Sequence, residues 1–208
     1  MAAPALCVAI LVGGQSRRMG QDKAGMRLGD RTLLEHVLAA AAPLSAERLL
    51  VAGQAGAGTD AGLPVCVDLY PQAGPLGGLC TALAGARAGR VLLLACDLPL
   101  LTTPLLGHLV DCLGGHEALV PHDADGLHPL CAVYRRSCLE TARQVLSTGG
   151  RRMTDLLGRL DVRYLERKDW GHLDPSGHAL FNANTPADLD LARSLLAAGC
   201  PPLAGEHR

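Results

Sequence analysis

The chain has 208 residues, of which 49% are hydrophobic but only 2% aromatic, and its formal net charge is −1 at pH 7. This length accommodates a single domain with a substantial core, which must be packed mainly from Leu, Val and Ala. The near-neutral charge, with scattered arginine pairs and no aromatic residues between them, argues against a nucleic-acid-binding protein.

The first predicted element is a buried strand over residues 6–12, an apolar run that ends at glycines. The run is too short to span a bilayer, and it lacks the basic segment and cleavage site of a signal peptide. We therefore expect a core strand and no association with a membrane.

Apolar runs alternate with helical patterns through the first half of the chain. The runs predict strands over 48–52, 64–67, 91–96 and 118–121, and the patterns predict helices over 32–42, 76–88 and 104–113. Such alternation is typical of an α/β protein with a mainly parallel sheet covered on both faces.

The second half has a less regular pattern. It predicts a strand over 127–134 after a turn, helices over 136–146 and 153–160, a strand over 162–165 and a final helix that ends at residue 198. Thr185 before Pro186 predicts the start of that last helix, with threonine as the N-cap.

The eight cysteines contain no C-x-x-C pair, and several lie within apolar runs. This spacing indicates buried, reduced cysteines rather than a disulfide scaffold, and hence a cytosolic protein.

A glycine-rich turn that follows the first strand is the strongest functional signal. From Leu11 to Lys23 the sequence reads LVGGQSRRMGQDK. Glycine lets backbone N–H groups approach phosphate oxygens, and Arg17, Arg18 and Lys23 supply positive charge. The turn matches neither G-x-x-x-x-G-K-[ST] nor G-x-G-x-x-G, which excludes the two best-known nucleotide loops. The alternative is a solvated connection between a strand and a helix.

Two aspartates follow predicted strands: Asp68 after 64–67 and Asp97 after 91–96. Ligands of open α/β sheets lie beyond the carboxyl ends of the strands. A carboxylate at that edge suits Mg²⁺, which one or two carboxylates hold together with phosphate oxygens. The alternative for each aspartate is a role in a turn or a helix cap.

These motifs together resemble the molybdopterin nucleotidyltransferases, specifically the MobA type of molybdenum cofactor guanylyltransferase. The resemblance includes the segments GPLGGL at 74–79, CDLP at 96–99 and NANTP at 182–186, in the family's order. It implies a three-layer, Rossmann-like nucleotidyltransferase fold in a single domain over 1–208. It also implies transfer of GMP from GTP to the phosphate of molybdopterin, with Mg²⁺ as cofactor and release of pyrophosphate.

The resemblance assigns roles to residues of both halves of the chain. It implies nucleotide binding by residues 1–121, at Leu11, Val12, Gly13, Gly14, Lys23, Asp68 and Asp97. It implies catalytic roles for Lys23, Arg17 and Asp97, with Asp97 as the metal ligand. Where the family often has an asparagine after the second strand, this chain has Gln54, so that contact is open.

The acceptor is expected in the second half, 122–208, because the nucleotide occupies the strand ends of the first. Asn182 offers an amide before the last helix, and Arg151, in a Gly-Gly-Arg-Arg turn, offers a bidentate fork for phosphate. The alternative for Arg151 is a solvated residue that opens a helix. His122 and His128 flank a turn and are expected on the surface or in binding rather than in catalysis.

Other readings of the sequence remain open. A molybdopterin cytidylyltransferase, or another small-molecule nucleotidyltransferase of this fold, is the nearest, although Gly13-Gly14 favours guanine. A dinucleotide-dependent oxidoreductase and a catalytically silent nucleotide-binding protein are the alternatives from other classes. The resemblance further implies that the product passes to molybdoenzymes and their chaperones.

Overall fold

A computed structural model describes residues 5–12, 23–53 and 61–198 of the protein. The strands are β1 Cys7–Val12, β2 Arg27–Leu28, β3 Arg31–Thr32, β4 Glu47–Ala52, β5 Val65–Val67, β6 Arg90–Ala95, β7 Ala118–Asp123, β8 Gly126–Leu127, β9 Cys131–Arg135 and β10 Val162–Glu166. The helices are α1 Leu33–Ala41, α2 Gly74–Gly85, α3 Thr103–Cys112, α4 Cys138–Ser147, α5 Met153–Leu157, α6 Arg167–Trp170 and α7 Pro186–Ala197.

Eight of the described strands form one large sheet in the order β10-β7-β9-β6-β1-β4-β5, with β8 paired to β7, and β2 and β3 form a separate two-stranded sheet. The pairs β6-β1, β1-β4, β4-β5 and β7-β10 are parallel, whereas β9 runs antiparallel to both of its neighbours, β6 and β7. Since β9 reverses direction between them, β6 and β7 point the same way. The predicted mainly parallel α/β fold is therefore confirmed.

Both faces of the central strands β1, β4, β6 and β9 are buried, which explains why these strands are mainly apolar without alternation. Along β1, Val8, Ile10 and Val12 pack into one core with α1 and α3. Cys7 and Ala9 point the other way, into a second core with α2, α4 and α5. The result is three layers, with the sheet between two sets of helices.

The strand predicted over 127–134 is wrong as a single element. The structure has the short β8, then a turn closed by the bond from the Cys131 N–H to the His128 carbonyl at 3.0 Å, and then β9. Pro129, which has no N–H to donate, lies in that turn, so the sheet ladder cannot run through it.

Two further elements were absent from the sequence prediction. The hairpin β2-β3 and the helix α6 are too short to produce a recognisable period. Leu28 of this hairpin joins Leu33 of α1 and Leu189 and Ala192 of α7 in a third, smaller core.

The seven described cysteines are all free, and five of them are buried. Burial raises the pKa of the Cys131 thiol to about 12, so this thiol stays protonated and behaves as a small hydrophobic residue. Within the described ranges, none of the helices has the length and apolar character needed to cross a membrane.

Candidate active site

The strands β1, β4, β5 and β6 end at one edge of the sheet. Val12 pairs with Ala52, Ala52 pairs with Val67, and Leu11 pairs with Ala95. Because all four strands run parallel, the segments that follow them emerge side by side at this carboxyl edge. The candidate site is built there.

Asp97 lies two residues beyond β6 and is half-buried. The preceding Cys96 continues the ladder, since its N–H donates to the Leu11 carbonyl at 3.2 Å. After Asp97 the chain turns into the core through Leu98, which is buried. These contacts on both sides fix the place of Asp97 next to the end of β1.

Asp68 follows β5, and its N–H donates to the Ala52 carbonyl at 2.8 Å. Its carboxylate Oδ1 accepts hydrogen bonds from the Tyr70 N–H at 2.9 Å and from the Thr81 hydroxyl at 3.0 Å. Asp68 therefore shapes the turn between β5 and α2, as the turn interpretation expected. Its expected contact with a nucleotide stays a prediction.

Thr81 was missed by the sequence reasoning. It lies on α2 and is almost fully buried, and its hydroxyl also accepts from the Leu69 N–H and lies 3.0 Å from the Gly77 carbonyl. The signal that could have found it is a lone hydroxyl within the apolar run of α2. Its role is to tie α2 to the loop that carries Asp68.

The glycines of the GPLGGL segment allow α2 to pack closely at this edge. A Cβ on Gly77 would lie 2.8 Å from the Tyr70 carbonyl oxygen, and one on Gly78 would lie 2.9 Å from Leu11 Cδ2. Gly74, where α2 begins, has a φ of +65°, which glycine adopts without a steric penalty. The segment thus brings α2 against Leu11, which was predicted to line the nucleotide site.

The NANTP segment reaches the same edge from the far end of the chain. The Ala183 N–H donates to the Asp97 carbonyl at 2.9 Å. The neighbouring Asn182 is exposed, and Thr185 caps α7 in a capping box with Asp188, which confirms the predicted cap. The segment that carries Asn182 is therefore anchored next to Asp97 through the backbone of Ala183.

Arg151 lies between α4 and α5, and its guanidinium donates to the carbonyls of Leu146 and Gly150 at 3.1 and 3.0 Å. The backbone N–H groups of Arg151 and Arg152 donate to the Asp155 carboxylate, and these bonds hold the pKa of Asp155 below its ordinary value. These contacts suit the helix-opening interpretation, and the acceptor-binding role of Arg151 stays a prediction.

Part of the predicted site lies outside the described residues. Gly13, Gly14, Arg17, Arg18 and Gln54 belong to this part. The backbone of Lys23 begins a 3₁₀ turn, Lys23–Gly25, but its side chain is likewise outside what the structure describes.

His122 and His128 each pair with a carboxylate. His122 Nδ1 lies 3.2 Å from Glu166 Oε1 on the neighbouring strand, and His128 Nε2 lies 2.8 Å from Asp123 Oδ1. Both pairs lie where β7 ends, two strands away from Asp97 at the end of β6.

The carboxyl edge offers the carboxylate of Asp97 as a candidate metal ligand, to which substrate phosphates would add theirs. Within the described ranges, no three His, Cys, Asp or Glu side chains are grouped so as to hold a metal ion. Asp97 at the carboxyl edge offers hard oxygen ligands, and Mg²⁺ is commonly held by one or two carboxylates together with substrate phosphates.

Comparison with known proteins identifies related sequences and structures. Residues 8–163 match a family model described as a MobA-like NTP transferase domain. A probable molybdenum cofactor guanylyltransferase of Pelotomaculum thermopropionicum is 34% identical, covering 88% of this chain and 90% of its own. The molybdenum cofactor guanylyltransferase of Desulfosudis oleivorans is 29% identical, covering 91% of this chain and 95% of its own.

A solved structure shares the fold over nearly the whole chain. The molybdopterin-guanine dinucleotide biosynthesis protein A of Archaeoglobus fulgidus superposes with a TM-score of 0.80 at 28% identity. The match covers 92% of this chain and 98% of the other.

Proposed function

The chain belongs to the family of MobA-like NTP transferases, and on this basis we propose that it is a molybdenum cofactor guanylyltransferase. It transfers GMP from GTP to the terminal phosphate of molybdopterin and releases pyrophosphate. Two relatives are named for this activity, and this chain matches each of them over at least 90% of its length.

The observation that carries the proposal is the hydrogen bond between the Ala183 N–H and the Asp97 carbonyl. It joins the acidic end of β6 to the segment that begins at Asn182. A transferase that joins two substrates needs groups for both at one point, and these two segments come from the two halves of the chain. This contact supports the proposal that residues 1–121 form the nucleotide half and residues 122–208 the acceptor half.

The reaction requires no general base. An oxygen of the ionised acceptor phosphate attacks the α-phosphorus of GTP, and a new P–O bond forms. The bond from the α-phosphorus to the oxygen bridging the β-phosphate breaks, and pyrophosphate leaves with its electron pair. Such a transfer depends on in-line positioning and on neutralisation of charge.

The chain's own groups meet these two needs at the carboxyl edge. Lys23, Arg17 and the backbone N–H groups of Gly13 and Gly14 hold the phosphates of GTP. The Asp97 carboxylate would hold Mg²⁺, which would supply positive charge to neutralise the phosphates. Leu11, Val12 and Asp68 border the nucleotide.

The acceptor is held from the other side of Asp97. Asn182 is exposed beside Ala183 and so is available to a substrate phosphate. Arg151 also binds the acceptor phosphate. To do so, its guanidinium leaves the carbonyls of Leu146 and Gly150 and donates two hydrogen bonds to phosphate oxygens.

The cellular setting follows from the same proposal. Free, buried cysteines suit a reducing compartment, so we place the protein in the cytoplasm. The product, a molybdenum cofactor dinucleotide, then passes to molybdoenzymes and their chaperones.

The test measures pyrophosphate release by the purified protein with each of the four NTPs, with and without molybdopterin. Release only with GTP, and only when molybdopterin is present, is the expected result. Equal kcat/KM values for GTP and CTP would overturn the guanylyl specificity and favour a cytidylyltransferase. Guanine selectivity is expected because polar groups matched to one base edge stay unpaired when another base replaces it.

A further inference from the structure

A cavity of about 260 Å³ lies where β7 ends, against the segment that leads to α7. Its polar wall carries Asp123, the last residue of β7, and Asp125 of the turn that follows, together with His178. Its apolar wall carries Leu180, Phe181 and Leu191. The nucleotide site described above uses none of these residues.

The polar wall is preorganised to accept hydrogen bonds. Asp123 Oδ1 receives the Asp125 N–H at 2.9 Å and lies 2.8 Å from His128 Nε2, and the Asp123 side chain is only 15% exposed. The orientation of this carboxylate is therefore fixed. His178 Nδ1 is buried and has no hydrogen-bond partner among the described residues, which leaves a polar atom for a ligand to satisfy.

The apolar wall suits a flat ring. Phe181 is the only phenylalanine of the chain, and it is half-buried beside the nearly buried Leu180. A volume of about 260 Å³ lies just below the roughly 300 Å³ at which drug-sized pockets begin, so it holds a fused ring rather than a whole nucleotide. Two carboxylates repel a phosphate, so the occupant presents N–H donors instead.

A 2-amino-4-oxopyrimidine edge has this chemistry, because it places an N–H and an NH₂ side by side opposite a carboxylate. Pterin and guanine share that edge. The sheet separates the two: β7 lies three strands from β1, or about 14 Å at about 4.8 Å per strand, and β6 with Asp97 lies between them. The proposed nucleotide contacts Leu11, Val12 and Asp68 lie on β1 and after β5, on the far side of β6 from the cavity, so we assign the cavity to the other substrate.

The cavity is also close enough for that substrate to reach Asp97. Phe181 precedes Ala183 by two residues, which span at most about 7 Å, and the Ala183 N–H bonds to the Asp97 carbonyl at 2.9 Å. We propose that this cavity binds the pterin ring of the acceptor through Asp123 and Phe181, with the acceptor phosphate directed toward Asp97. This inference rests on the proposed function.

The test titrates the protein with free pterin and follows pterin fluorescence. Asp123→Asn keeps the shape but replaces an acceptor oxygen by a donor, and Phe181→Leu removes the ring. Each is expected to weaken pterin binding at least about tenfold, the effect of leaving one polar group or ring face unpartnered. The matched control is Asp161→Asn, since Asp161 pairs with His116 at the opposite end of the sheet, and it should bind pterin normally.

Two arms identify the occupant. Saturating GTP should leave pterin binding unchanged, and Asp123→Asn should raise the KM for molybdopterin about tenfold without changing the KM for GTP. If guanosine displaces pterin with the same sensitivity to both variants, the cavity takes guanine and the proposal is wrong. It is equally wrong if wild-type protein binds no pterin, or if all the variants bind pterin alike.

The design separates the two proposals. If pterin binding depends on Asp123 but GTP and molybdopterin release no pyrophosphate, the proposed function is wrong and the assignment of the cavity to pterin stands. If pyrophosphate is released but pterin binding does not change in the Asp123 and Phe181 variants, the assignment of the cavity is wrong and the proposed function stands. Thermal unfolding shows which variants are folded, and a destabilised Phe181→Leu leaves Asp123→Asn as the deciding variant.

Discussion

At the scale of single residues, the proposed catalytic role of Asp97 depends on where its strand ends. Its backbone is fixed by the contact of Cys96 with Leu11 and by the contact of its own carbonyl with Ala183. The loop is therefore anchored through the backbone on both sides of the Asp97 carboxylate. Asp97→Ala should fold normally and lose about 10²–10³ in turnover, the usual effect of removing one preorganised charge-stabilising contact.

Pyrophosphate release and thermal unfolding check this expectation together. Asp111→Asn, an exposed change on α3, is the matched control and should leave both unchanged. Near-native turnover of Asp97→Ala would remove Asp97 from the catalytic site.

A substitution of Asn182 shows which of the two substrates the segment before α7 binds. Its side chain is exposed, whereas the neighbouring Ala183 holds the segment to Asp97 through the backbone. Asn182→Ala should therefore leave GTP affinity nearly intact and weaken the use of molybdopterin. Calorimetry with Mg²⁺-GTP and an acceptor titration measure the two effects. A large loss of GTP binding with an unchanged acceptor KM would instead place Asn182 in the nucleotide site.

At the scale of elements, the N-terminal half of α2 depends on its glycines. Replacing a helical glycine by alanine ordinarily stabilises a helix by about 0.5–1 kcal/mol. Gly77→Ala should instead destabilise the protein by about 1–3 kcal/mol, because the new Cβ meets the Tyr70 carbonyl at 2.8 Å and Ala73 Cβ at 2.9 Å.

Gly107 of α3 is the matched control for this prediction. A Cβ there has Leu44 Cδ2 as its nearest atom, at an ordinary contact distance of 3.6 Å. Gly107→Ala should accordingly stabilise the protein in urea unfolding. If both variants change stability in the same direction, close packing of α2 is not the reason for the glycine at position 77.

The segment between α6 and α7 is held by Asp174. This side chain is almost fully buried and accepts hydrogen bonds from Arg167 Nη1 at 2.7 Å, Ser176 Oγ at 2.7 Å and the Ala179 N–H at 3.1 Å. Burial alone would raise the pKa of Asp174, but these hydrogen bonds outweigh it and hold the pKa below its ordinary value. The network orders the segment that carries His178 and Phe181.

The pH dependence follows from the direction of this shift. A carboxyl whose pKa is lower in the folded state stabilises the fold above its unfolded pKa, about 3.9, and that contribution is lost as the pH falls through the folded pKa. Asp174→Ala should destabilise the protein by about 1–3 kcal/mol at pH 7. The difference from wild type should shrink below about pH 4, as measured by urea unfolding at each pH. A difference that does not vary with pH would contradict the assigned ion pair.

At the scale of the whole molecule, ligand binding and stability are linked, because the proposed site forms only in the folded chain. A ligand that binds only the folded protein stabilises it by about 2.7 kcal/mol at a concentration of 100 times its Kd. Mg²⁺-GTP should raise the Tm accordingly, and CTP at the same concentration should raise it much less. Equal shifts with both nucleotides would contradict guanine selectivity.

The local patterns of the sequence predicted most of the fold. Continuous apolar runs gave the core strands, because both faces of the sheet are buried, and the Thr-Pro pair marked the start of α7. The position of β9 could not be predicted. Its pattern shows that it is buried but not which strands it pairs with, and it inserts antiparallel between β6 and β7.

By itself, the sequence determined the fold class, the strand-end position of Asp97 and the nucleotidyltransferase motifs, since each depends on neighbouring residues. Only the tertiary structure decided that Ala183 bonds to Asp97, that Thr81 contacts Asp68, and that Asp123 and Phe181 face one cavity. These contacts join residues far apart in the chain. They are fixed when all the elements bury their apolar faces together, and a local pattern carries no record of its distant partners.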